Sequence, residues 1–99
     1  MKQGSMTKSI PPKLREELAA DPFMQVCVIK ELGECNGRIE WNHALSYKGV
    51  RQNRRFCLLP MCKKHHDEEA KWRFVLRIIM KFRATEQDKK DYPLLKWLQ

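Results

Sequence analysis

The span from Arg38 to Glu68 constrains this chain more than any other, because it holds all three histidines and two of the four cysteines. His43 stands alone in the stretch Glu40-Trp41-Asn42-His43-Ala44. Cys57, Cys62 and the adjacent pair His65-His66 fall in its second half. Such a concentration of soft and borderline ligand types points to metal chemistry rather than packing. A chain of 99 residues buries only a modest fraction of its surface, and in domains of this size a bound metal often supplies what a small core lacks. One domain is expected over residues 9–99, with its core at about 27–84. Residues 1–8 read as a disordered tail or an expression remnant.

Charge narrows the class of partner. Twenty Lys and Arg against twelve Asp and Glu leave a net charge of +8. That surplus favours polyanions, nucleic acid ahead of an anionic membrane, although a solubilising charged surface gives the same composition. A hydrophobic content of 42% is that of a globular chain. No run reaches the ~18 apolar residues of a membrane span, and Met1 to Lys8 lacks the apolar core of a signal peptide. The expectation is a cytoplasmic chain with no membrane partner, in which cysteines are thiolates or zinc ligands rather than disulfides.

The elements follow from punctuation and periodicity. Ser9-Ile10-Pro11-Pro12 predicts a helix start capped by Ser9, with Leu14 and Leu18 on one face and an end at Asp21-Pro22. Phe23 to Ile29 reads as a short strand or extended entry carrying Cys27. The turn Gly33-Glu34-Cys35-Asn36-Gly37 follows, so Cys27 and Cys35 flank a loop. Arg38 to Leu45 alternates as a strand, with Ile39, Trp41 and His43 on one side and Glu40 and Asn42 on the other. A basic connection from Ser46 to Arg55 leads to a second strand over Phe56 to Met61, with Pro60 at its exit. From Cys62 to about Ala84 the pattern is that of one long helix, its apolar face at Val75, Ile78, Ile79 and Phe82. Thr85 caps a last helix with Glu86 and Asp88 in its first turn, and the apolar residues from Tyr92 to Leu98 pack back on the core. The class is α+β.

Helical spacing divides the ligand cluster in two. At ~100° per residue, Cys62 and His65 share a face while His66 points elsewhere, with Arg73 and Arg77 on its own side. A structural zinc needs four Cys or His ligands in tetrahedral array. Cys62 and His65 supply two and Cys27 and Cys35 the others. Cys57 is the competitor, but in an apolar strand it also reads as a small buried hydrophobe. His43 is the candidate general base, since imidazole titrates near neutral pH; a structural histidine on a half-buried strand is the alternative. A phosphodiester-cleaving site also needs a divalent cation, for which His66 and Asn42 are the candidate ligands. Asn42 and His43 point to opposite faces of a regular strand, so either the chain bends there or Glu40 acts in place of Asn42. Asn53 either pins the connecting loop to the strand or is an ordinary turn residue. Trp41 and Trp72 read as core. Arg51, Arg54, Arg55, Arg73 and Arg77 read as phosphate contacts or as a solvated basic face.

Taken together, Cys27…Cys35, Glu40-Trp41-Asn42-His43-Ala44, Tyr47-x-Gly49, Asn53 and Leu59-Pro60-Met61-Cys62-x-x-His65-His66 resemble the HNH, or ββα-metal, endonucleases. The likeness is to small phage and prophage members with a zinc knuckle, and it covers over a third of the chain. The resemblance implies a ββα-metal core flanked by an N-terminal helix and a C-terminal helical segment. It implies His43 as general base, Asn53 as the residue ordering the loop, and His66 as ligand of a catalytic Mg²⁺ or Mn²⁺. It further implies Cys27, Cys35, Cys62 and His65 as the zinc set, with His65 where a fourth Cys is common. The family often has Asp, Glu or His at the position of Asn42, and a neutral amide is a poorer ligand for a hard cation. The expected activity is hydrolysis of DNA with weak sequence preference. A silent zinc module that only binds nucleic acid is the rival, and a protein-interaction adaptor a third reading that the basic loop argues against.

Overall fold

Proline decides where the chain first becomes helical. Pro12 is the first residue of α1 (Pro12–Ala19), behind Pro11 at the N-cap, where a missing N–H forfeits no helical bond. The computed structural model describes residues 10–99, so the tail at residues 1–8 and the expected cap at Ser9 lie outside the described residues. α1 buries Leu18, which packs with Met24 and Leu58 and against Trp41. Removing a leucine-sized side chain from water stabilises a fold by about 1.5–3 kcal/mol.

Of the short strand or extended entry expected over Phe23 to Ile29, the strand does not form and the extended part is Val26. Asp21 caps a short 3₁₀ turn over Pro22–Gln25, its carboxylate accepting from Phe23 N at 3.0 Å. The chain is extended at Val26, and Val28 N donates to Pro60 O at 2.9 Å. That bond docks the Cys27 loop on the outer edge of the second long strand without starting a ladder.

Two small antiparallel sheets follow. β1 (Ile39–His43) pairs with β4 (Leu58–Cys62) in the register Ile39↔Cys62, Trp41↔Pro60 and His43↔Leu58. β2 (Ser46–Tyr47) and β3 (Val50–Arg51) form a hairpin inside the basic connection. Its two-residue turn is Lys48-Gly49, both at positive φ (53° and 80°), the backbone that tight hairpins require. The second long strand begins later than expected, after a 3₁₀ turn at Arg55–Cys57, and runs past Pro60 to Cys62. In a strand, the N and O of one residue face the same side. Since Pro60 O accepts from Val28, its missing N–H also faces away from β1 and costs no ladder bond.

The long helix expected from Cys62 is two helices. α2 (Lys63–Asp67) ends at Glu68, a 3₁₀ turn spans Glu69–Trp72, and α3 runs over Arg73–Arg83. An unbroken helix would raise Trp72 roughly 10 Å above His65. The break instead brings the indole edge-on to the imidazole, ring centroids 5.5 Å apart. It also resets the rotation of α3, which buries Leu76 and Met80, with Val75 and Ile79 packed partly against the core. Ile78 and Phe82, expected on the buried face, are exposed.

α4 (Glu86–Asp91) starts at Thr85 with a full capping box, Thr85 Oγ1 accepting from Asp88 N and Asp88 Oδ2 from Thr85 N. Tyr92 and Leu98 are buried behind it, and Tyr92 stacks edge-on with Tyr47 and Phe56. No helix among the described residues is long and apolar enough to cross a membrane.

Asp21 ties the ends of this arrangement together, meeting Arg55 Nη2 at 3.1 Å and Arg83 Nη2 at 3.6 Å. The Phe23 N–H, opposed by desolvation and helped by the two arginines, holds its carboxyl below the ordinary 3.8. A carboxyl lowered on folding contributes stability that is present above its unfolded value and lost as pH falls through the folded one. Asp21→Asn should therefore lower the melting temperature at about pH 7 and change it little near pH 2. An equal loss at both pH values in thermal melts would contradict this account.

Candidate metal centre and the cleft beside His43

The knuckle closes because a short loop and a helix start are clamped to each other. Lys63 N donates to Arg38 O at 3.0 Å and Lys64 N to Asn36 O at 3.1 Å. Gly37 makes this approach feasible: its φ is +92°, and a Cβ there would lie 2.8 Å from Lys63 Cβ. Cys62 is the N-cap of α2 and His65 lies in its first turn, so the local helix geometry alone turns both toward one point. The turns at Cys27–Gly33 carry Cys27 inward, with Lys30 N on Cys27 O and Gly33 N on Ile29 O.

Four ligand atoms converge there. Cys27 Sγ, Cys35 Sγ, Cys62 Sγ and His65 Nδ1 all lie within 4.8 Å of one another. His65 Nδ1 is 3.5 Å from Cys27, 3.8 Å from Cys35 and 3.2 Å from Cys62. A tetrahedron with Zn–S of ~2.3 Å and Zn–N of ~2.0 Å has edges of about 3.5 Å between S and N and about 3.8 Å between sulfurs. The group therefore fits a closed zinc site. Cys27, Cys62 and His65 are buried and Cys35 is at the surface.

Backbone donors favour thiolates: Ile29 N donates to Cys27 Sγ at 3.4 Å and His65 N to Cys62 Sγ at 3.5 Å. Burial raises the Cys62 thiol, but the His65 and Asn36 N–H groups and the neighbouring thiols outweigh it, and the net direction is down. Cys35 is pushed up to about 11, by desolvation first and then by Cys27 and Cys62. A bound dication is the charge that lets such a crowd of sulfurs ionise together. Gly33 leaves room behind the imidazole, since a Cβ there would stand 3.1 Å from Nε2.

Cys57 belongs elsewhere. It is fully buried, its Sγ donates to Gln52 O and Arg54 O at 3.5 Å, and burial pushes it up to about 12.

The other two histidines take separate neighbours. His43 Nε2 meets Asn53 Oδ1 at 2.8 Å, so the loop asparagine does reach the strand. His43 stands at the edge of a cavity of about 280 Å³ whose polar wall is Arg51, Arg73, Arg77 and Glu69. His66 Nδ1 meets Glu40 Oε1 at 2.8 Å. The imidazole holds the Glu40 carboxyl below its ordinary value, against desolvation and with help from Lys63 and Arg38. Asn42 is the correction. Its side chain is turned into the core, 1% exposed, with Nδ2 donating to Met61 Sδ at 3.4 Å. Glu40, two residues back on the same side of β1 and nearer the start of α2, is the residue that meets His66. Glu40 and His43 are three residues apart on β1, about 10 Å.

The arginines also divide. Arg51, Arg73 and Arg77 share the His43 cavity. Arg54 instead bridges Asp88 (3.0 Å) and Asp91 (2.8 Å) over the Tyr92 ring, and Arg55 pairs with Asp21. Those two hold α4 and α1 in place. Glu69 and Trp97 in the cavity wall were missed from sequence. The spacing Glu69, Arg73, Arg77 at i, i+4, i+8 could have signalled the first; Trp97 arrives only through tertiary folding.

Purified protein should carry about one zinc per chain. Cys62→Ser should abolish it and cost more than about 2 kcal/mol, roughly 10 °C in melting temperature for a chain this size. Elemental analysis and calorimetry check both, and a metal-free wild type with an unchanged melt would remove the zinc assignment. No family model, curated protein or solved structure matches this chain, so its function is argued from the geometry of these two centres.

Proposed function

We propose that the protein is a metal-dependent endonuclease of the ββα-metal (HNH) type that hydrolyses DNA phosphodiester bonds with weak sequence preference. The observation that carries this reading is the 2.8 Å contact of His43 Nε2 with Asn53 Oδ1 at the edge of an arginine-lined cavity. With the amide oxygen assigned as acceptor, the imidazole proton sits on Nε2 and Nδ1 keeps its lone pair. A nitrogen in that state has the lone pair that takes a proton from water, which makes His43 the general base. Arg51, Arg73 and Arg77 hold phosphate oxygens, which positions the backbone without reading bases.

Glu40 and His66 are the residues that would hold Mg²⁺ or Mn²⁺. An ionised carboxylate beside an imidazole suits a hard cation that keeps waters and phosphate oxygens in its remaining positions. The cation would supply charge to offset that on phosphate and the leaving oxygen. The element order supports the family reading: an antiparallel β1–β4 pair, then α2, with the Cys₃His group at their junction.

Two observations favour the rival, a zinc module that binds nucleic acid without cutting it. Glu40 and His66 already satisfy each other, with Asn42 offering nothing beside them, and Glu40 lies three residues from His43 on the opposite side of β1. Nicking of supercoiled plasmid under Mg²⁺ or Mn²⁺ decides between the two. Wild type should nick, and His43→Ala should be slower by roughly a hundred- to ten-thousand-fold. Glu40→Gln should raise the concentration of divalent ion needed. DNA retention at low salt with no nicking under either ion would assign the silent module.

A further inference from the structure

α3 presents a second apolar face, and that face is uncovered. Phe74, Ile78 and Phe82 recur at i, i+4 and i+8 and are 75%, 47% and 87% exposed. A contiguous apolar stripe on a small domain marks a contact surface. Phe74 to Phe82 spans about 12 Å of helix.

The hollows along this face join the cavity of His43. That cavity has Arg77 and Trp97 in its wall. The same two residues wall a second hollow of about 260 Å³, completed by Phe74, Ile78 and Lys81. Ile78 and Lys81 in turn wall a third, of about 330 Å³, with Phe82 and Lys89. No Asp or Glu lines the second or third hollow. Cations and apolar side chains therefore run side by side along one track, and the Arg77 guanidinium lies over the Trp97 ring at 5.4 Å.

We propose that this track binds single-stranded nucleic acid, so that the substrate is DNA with an unpaired strand leading away from the scissile phosphate. This deepens the endonuclease reading and rests on it. In a duplex the base faces are already stacked on one another, and exposed phenylalanines gain nothing from its phosphate surface. Unpaired bases offer their faces to Phe74 and Phe82, while Arg77, Lys81 and Lys89 take the phosphates. A second copy of the chain is the poorer occupant, because each carries a net charge of +8 and the hollows bring cations against cations.

The test uses the full zinc-loaded chain without Mg²⁺, titrated by anisotropy with an oligothymidylate and with a blunt duplex of equal length. Phe74→Ala with Phe82→Ala should weaken oligothymidylate binding by about tenfold or more and duplex binding by less than about twofold. Both side chains are exposed, so the melting temperature should hold, and measuring it excludes a folding defect. Equal losses on the two ligands would overturn the track. No loss on either would do the same and assign the stripe to a protein partner such as an acidic helix. Plasmid nicking separates this result from the parent reading. A variant-insensitive oligothymidylate affinity in a protein that nicks removes the track alone. Ring-dependent oligothymidylate binding in a protein that never nicks sustains the track and removes the endonuclease.

Discussion

The convergence of Cys27, Cys35, Cys62 and His65 is the constraint on which the rest depends. Between Val26 and Arg38 the chain makes only turns, and few backbone bonds hold it to the remainder. What fixes that segment is the point where three sulfurs and one imidazole nitrogen meet at tetrahedral spacing. The same point fixes the start of α2, because Cys62 is at once the last residue of β4, the cap of the helix and a member of the Cys₃His group. Through Trp72 on the His65 ring it also sets where the helical region breaks, and hence how α3 is rotated.

β1 then acts as a distributor. Four of its five residues send their side chains to four different surroundings: Trp41 to the Leu18 cluster, Asn42 to Met61, Glu40 to His66 and His43 to Asn53. Pairing with β4 holds those directions, since a slip of one residue would exchange every face. The basic connection is anchored at both ends of its job. Arg54 and Arg55 are spent on carboxylates that hold α4 and α1, which leaves Arg51, with Arg73 and Arg77 from α3, to wall the cavity of His43. Separate use of neighbouring arginines explains how one basic loop can both brace the fold and line the cavity.

Much of this was legible in the chain. The separation of His65 from His66, the Cys62–His65 pairing, the preference for Cys62 over Cys57 and the Thr85 cap survive, and of the two readings of Asn53 the structure has the one that reaches the strand. The strand alternative for Phe23 to Ile29 and the unbroken helix from Cys62 do not survive. Asp21-Pro22 and the packing of Trp72 on His65 overrode propensities that pointed otherwise.

What the residues alone determined is whatever three or four bonds of local geometry control: which ligands share a helix turn, where caps and prolines punctuate, which sides of β1 oppose each other. Tertiary structure decided the rest. That Glu40 rather than Asn42 meets His66 depends on where along β1 the start of α2 docks, since the two side chains share a face but only Glu40 pairs beside Met61, next to Cys62. That Phe82 lies outside and Met80 inside depends on the rotation of α3 after the break at Glu69–Trp72. Period and spacing fix relative directions along an element, but its absolute orientation is set only by the neighbour it packs against.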